Sequence, residues 1–126
     1  MRDLVSNIGV VLALAPAVQA AAADGLAIPL KGFDSLAFAI NTGAIVEDGD
    51  FGVKVQESED GLAFTDADAS AVLGSVPATL AEASSYKLGY IGFKPFARLA
   101  VTKAGGTSIA LGAVAIKGHA RERPVS

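Results

Sequence analysis

This sequence predicts an all-β fold, a two-sheet antiparallel β-sandwich of jelly-roll type with about eight strands, and three observations carry that reading. Short segments alternate apolar and polar or small residues with period two, most cleanly Leu36, Phe38 and Ile40 against Ala37, Ala39 and Asn41. Fourteen glycines and five prolines in 126 residues supply a turn between almost every pair of such segments. Neither a βαβ alternation nor a heptad is visible.

The first 23 residues read as an N-terminal arm ending in a β-segment. Ile8 to Leu14 is apolar, and Pro16, Val18, Gln19 and Ala20 lead into a run of alanines, so the segment imitates a secretory leader. Arg2 beside Asp3, with no lysine, makes a poor leader start, and the apolar run is too short to span a bilayer. An extended Ala/Val arm can instead add itself to a neighbour's sheet edge.

Residues 24–117 are expected to form the sandwich. Asp24 and Gly25 make a turn, and Leu26 to Leu30 is a short strand that Pro29 confines to an edge, because proline has no amide to give the ladder. Lys31 to Asp34 turns again, Ser35 to Asn41 is a strand, and Ala44 to Val46 is a brief one before the EDGD loop at 47 to 50. Phe51 to Thr65 is the hairpin around which the chain is organised. Phe51, Val53 and Val55 share one face, Ser58 to Gly61 turn with Gly61 free to take positive φ, and Leu62 to Thr65 return.

Ala71 to Leu73 is read as a short strand, and Pro77 to Ser84 as a loop with one helical turn. Three more strands follow. Tyr86, Leu88 and Tyr90 share a face, and Gly92 to Pro95 turn; Ala97, Leu99 and Val101 are then set against Phe96, Arg98 and Ala100. After the AGGT turn at 104 to 107, Ser108 to Lys117 is the longest strand, with Val114 and Ile116 on one face and Ile109, Leu111, Ala113 and Ala115 on the other. Residues 118–126, GHARERPVS, read as a basic tail.

Charge is separated along the chain although the net value is only −3. Glu47 to Asp68 holds eight acids against Lys54, and Ser84 onward holds seven bases against Glu122. Either the two groups neutralise each other within one molecule, or an acidic edge of one copy meets a basic edge of the next and closes a ring. Nothing in this balance favours nucleic acid.

Catalytic and metal chemistry find little to work with. No cysteine is present, which excludes a disulfide scaffold and a thiolate metal site. His119 is the lone histidine, and no nucleophile and acid are placed to complete a triad with it. The loops EDGD and ESEDG lack the ordered ligand spacing of a calcium loop. Asp66 and Asp68 read as exposed loop acids, since the absence of tryptophan removes the usual sugar-stacking platform. The chain is expected to be neither an enzyme nor a cofactor binder.

Four stretches, FDSLAFAINTG (33 to 43), FGVKVQESEDGLAFTD (51 to 66), YKLGYIGFKPFARLAVTKAGGTS (86 to 108) and KGHARERP (117 to 124), carry a resemblance. Together with the SNIGVVLALAPAV start they resemble a family of small proteins encoded among the head genes of tailed bacteriophages and prophages. The resemblance implies a virion structural protein, best a β-sandwich cement or decoration protein on the capsid surface, made in the host cytoplasm. Its implied partners are the major capsid protein and further copies of itself, as a homotrimer, with no nucleic acid and no membrane. The interface residues expected on this basis are Arg2, Glu59, Asp60, Lys94, Arg98, His119, Arg121 and Arg123. A head–tail connector or tail protein, and a secreted β-sandwich binding module, are the alternatives.

Overall fold

The computed structural model describes residues 3–120. Two 3-10 turns, Val5–Asn7 and Ala69–Ala71, are the helical content of that span, and ten strands make up the rest of its regular structure. These are β1 (Gly9–Gln19), β2 (Ala23–Asp24), β3 (Ile28–Pro29), β4 (Phe33–Val46), β5 (Asp50–Ser58), β6 (Thr65–Asp66), β7 (Val72–Leu73), β8 (Ser85–Tyr90), β9 (Phe96–Gly105) and β10 (Ser108–Ala120).

They form two five-stranded sheets. Sheet A runs β1-β10-β4-β8-β7, and sheet B runs β2-β9-β5-β6 with β3 also on β9. β2 and β3 occupy one position, an interrupted strand along β9, with Ala23 opposite Val101 and Ile28 opposite Ala97. From β4 onward the long strands therefore alternate between the sheets, and the first and last strands of the wound unit meet at one edge of sheet A as the β1–β10 pair. That winding is a jelly roll, as the sequence predicts, with β7 as an added edge.

The alternating patterns do what their period requires. Leu36, Phe38 and Ile40 from β4, Phe51, Val53 and Val55 from β5, and Ile109, Leu111, Ala113 and Ala115 from β10 all face the space between the sheets and are buried. Leu88 and Tyr90 from β8 and Leu99 and Val101 from β9 complete the core with Ala13 and Leu14. At the open side, the Gly25 amide donates to the Leu99 carbonyl at 2.6 Å and the Leu26 amide to the Ala13 carbonyl at 2.8 Å, tying the sheets together.

Several elements differ from expectation. Residues 9–19 do not reach out as an arm: they are an edge strand on β10 of the same chain, with Val10 opposite Ile116. Residues 118–120 are not tail but the end of β10, because Phe33 to Ser35 of β4 provide a ladder that outweighs the weak strand propensity of Gly-His-Ala. β4, at 14 residues, exceeds β10 because Asn41 to Gly43 do not break it. The helical turn falls at Ala69–Ala71, where Asp68 accepts the Ser70 amide, and not at 77 to 84.

The organising hairpin is real but lopsided. β5 pairs with only Thr65 and Asp66 on its return side, whereas on its other edge it pairs with β9 from Asp50 to Ser58. The cause is Asp60, whose carboxylate accepts the amides of Leu62 at 2.8 Å and Ala63 at 3.0 Å. Those donors are satisfied inside the turn, so the return strand starts only at Thr65 and Leu62 is left exposed. Gly61 takes the positive φ expected of it, +78°.

Candidate interaction surfaces

At one end of the sandwich the β5–β6 turn meets the loop between β8 and β9. Tyr90, buried at the end of β8, donates its hydroxyl to Glu57 Oε1 at 2.7 Å and accepts the Lys94 amide at 3.1 Å. Burial, reinforced by the Glu57 carboxylate, pushes the Tyr90 phenol up to about 12. Lys94 Nζ reaches Glu59 at 2.6 Å, and that contact raises the lysine's pKa. The loop is fixed at its ends as well: the Ile91 amide donates to Ala71, and the Pro95 carbonyl accepts the Leu30 amide.

A loop held this firmly presents an apolar tip. Phe93 is 102% exposed, and Ile91 and Leu73 beside it are more than half exposed. They border a groove of about 910 Å³ whose walls include Pro29, Leu30, Phe33, Tyr90 and Phe96. A fully solvated phenylalanine on a rigid loop is out of place on a surface that meets only water, and aromatic side chains in such positions are typical anchors at protein interfaces.

The outer face of sheet B is polar and closed on itself. Asp66 takes Lys54 at 3.0 Å and the Gln56 amide at 3.0 Å, and these contacts hold its carboxyl below the usual range, Gln56 contributing most. Gln56 Oε1 in turn accepts Arg98 Nε at 2.8 Å, and Arg98 also faces Asp24 at 3.4 Å and lies over the Phe64 ring at 4.2 Å.

The outer face of sheet A is its opposite. Val10 and Leu12 of β1, Val114 and Ile116 of β10, and Ala37 and Ala39 of β4 lie side by side across three strands. Gly89 continues the row on β8, and Lys87, opposite Ala39, is the charged residue at its margin.

Of the residues expected at an interface, the structure brings Glu59 and Lys94 together as a pair and sets Asp60 as the organiser of the neighbouring turn. Amide hydrogen bonds from Leu62 and Ala63 hold the Asp60 carboxyl below its ordinary value. Arg98 lies apart from them on sheet B, and His119 falls within β10. Arg2, Arg121 and Arg123 lie outside the described residues. Sequence reasoning missed Tyr90, Glu57 and Phe93. A phenylalanine inside a Gly-Phe-Lys-Pro turn was the available signal, since turns seldom need an aromatic side chain.

Among the described residues, no group of three or more His, Cys, Asp or Glu side chains is placed to hold a metal ion, and no helix is long and apolar enough to cross a membrane. The fold and these surfaces define a jelly-roll sandwich with one self-paired polar face, one apolar face and an aromatic end loop. No family model matches the chain, and no curated protein matches it. Among solved structures, a chain from the structure of infectious bursal disease virus, Gx strain, is similar over 93% of this chain, at 12% identity and a TM-score of 0.48. This chain spans 34% of that one's length.

Proposed function

We propose that the protein is a structural component of a tailed-bacteriophage virion, a cement or decoration protein seated on the outer surface of the head and bound to the major capsid protein. The observation that carries the reading is the Phe93 loop: an aromatic anchor fully exposed at the tip of a segment pinned by Tyr90, Glu57 and Lys94. Such a loop loses little freedom on binding, so contact area converts efficiently into affinity. The family resemblance supports the virion assignment, and a rigid sandwich with exposed apolar surface suits a protein that acts by repeated contacts over a lattice.

In this reading the Phe93 end faces the shell, and the C-terminal residues Arg121 and Arg123 add contacts to it. The test is binding of the purified protein to heads that lack it. The wild type should saturate the shell, and Phe93→Ser should weaken binding about thirtyfold, the loss of one aromatic anchor worth about 2 kcal/mol. Absence of saturable binding by the wild type would overturn the proposal.

A further inference from the structure

We propose that the outer face of sheet A is a self-association surface, on which a second copy of this chain packs face to face across a two-fold axis. The inference is independent of the virion reading, because it is made and tested on the isolated protein.

The first argument is relief. Val10 and Leu12 on β1 and Val114 and Ile116 on β10 form a raised half of the face, and Ala37 and Ala39 on β4 with Gly89 on β8 form a low half. A two-fold axis passing between β10 and β4 sets the raised half of each copy into the low half of the other. That is the self-complementarity an isologous contact requires.

The second is area. The four strands β1, β10, β4 and β8 at their ordinary spacing, over about seven residues of length, give a face roughly 20 Å by 25 Å. Two such faces bury about 1,000 Å², the lower bound for a specific interface. An interface of that size is of the weak, reversible kind.

The third is charge. Lys87 stands at the margin of the face, and the axis places the two Lys87 side chains on opposite rims. Sheet B offers no comparable surface, since its Lys54, Gln56, Arg98 and Asp66 side chains are already engaged with one another or with Asp24. The acidic and basic groups that would join copies edge to edge are likewise paired within one chain, as Glu59 with Lys94 and Asp24 with Arg98. Extension of the sheet at β1 is obstructed too, by Pro16 and by register shifts between Leu12 and Leu14 and between Leu14 and Ala17. Association therefore uses the face.

Sedimentation equilibrium of the full chain, from about 1 to about 500 µM, reads the dimer directly. The wild type should follow a monomer–dimer equilibrium, and Val114→Lys should raise the dissociation constant at least about tenfold, as a desolvated like-charge pair near the axis requires. Because the chain has no cysteine, single-cysteine variants give a second readout that does not depend on Val114→Lys folding. Ala39→Cys should form a disulfide-linked dimer under mild oxidation faster than Thr102→Cys, which sits on sheet B. A wild type monomeric throughout, a dimer that Val114→Lys leaves intact, or equal cross-linking of the two cysteine variants would each overturn the proposal.

Discussion

Tyr90→Phe isolates the pin that holds the Phe93 loop. The substitution keeps the ring in the core and removes only the hydroxyl, which donates to Glu57 and accepts the Lys94 amide. One of these bonds involves a carboxylate, so the expected loss at neutral pH is about 2 to 3 kcal/mol. The phenol's ionisation adds a separate, pH-dependent test, because burial first and the Glu57 carboxylate second oppose its charged form. Its pKa rises from 10 to about 12 in the folded protein. Two pKa units correspond to about 2.7 kcal/mol. Above pH 10 the unfolded chain releases a proton that the folded protein keeps until about pH 12, so the stabilisation is complete below pH 10 and fades as pH rises through that window. Urea unfolding of wild type and variant, at steps from about pH 8 to about pH 12, measures the difference while cancelling the lysines common to both. A wild-type advantage that shrinks steadily above pH 10 is the expected result. An advantage that is absent at pH 8, or constant to pH 12, would refute the assignment of Tyr90 as the pin.

Gly92→Ala tests the same loop sterically. A Cβ there would strike the Tyr90 ring, with the Tyr90 Cζ only 2.6 Å away, and that ring is fixed. About 1 to 3 kcal/mol of destabilisation should follow in thermal melts. Phe38→Ala, at a fully buried position in the centre of β4, should lose about 3 to 5 kcal/mol by urea unfolding, the range for an aromatic deleted from a core that cannot collapse. Asp60→Ala should release the Leu62 and Ala63 amides and make them exchange faster with solvent deuterium. In the wild type the depressed Asp60 pKa means that the turn's stabilisation is present at neutral pH and lost as pH falls through the folded value, so lowering pH should raise the exchange of the same two amides, after correction for intrinsic rates. Phe93→Ser should leave the melting temperature unchanged, since the ring is wholly exposed; a drop would show that it packs within its own chain.

What the sequence discloses here is set by how local the determining physics is. The buried faces of β4, β5 and β10 follow from period two alone, and Gly61 and Gly106 adopt the positive φ that their turns need. The all-β sandwich class follows from strand count and turn density together with the absence of crossover helices. Strand neighbours are another matter. That β5 lies chiefly against β9 depends on a contact about forty residues away, and the hairpin's short return arm depends on one carboxylate capturing two amides. Residues 9–19 carry the small apolar composition of a leader, and only the ladder offered by β10 makes them a strand. The charged residues show the same limit. Lys94 and Glu59 are 35 positions apart, and their pairing is visible only when the ends of β5 and β8 are brought together. Phe93 was hidden by its context, because a Gly-Phe-Lys-Pro stretch reads as punctuation until its exposure is known.

The proposed seat on a phage head is tested most directly by the copy number of this chain in purified particles, measured by quantitative mass spectrometry against the major capsid protein. A fixed ratio close to that of the shell subunits, or to one set of copies per capsomer, is the predicted result. About six to twelve copies per particle would place the protein in a ring at the neck or tail instead, and its absence from particles would contradict a virion role altogether.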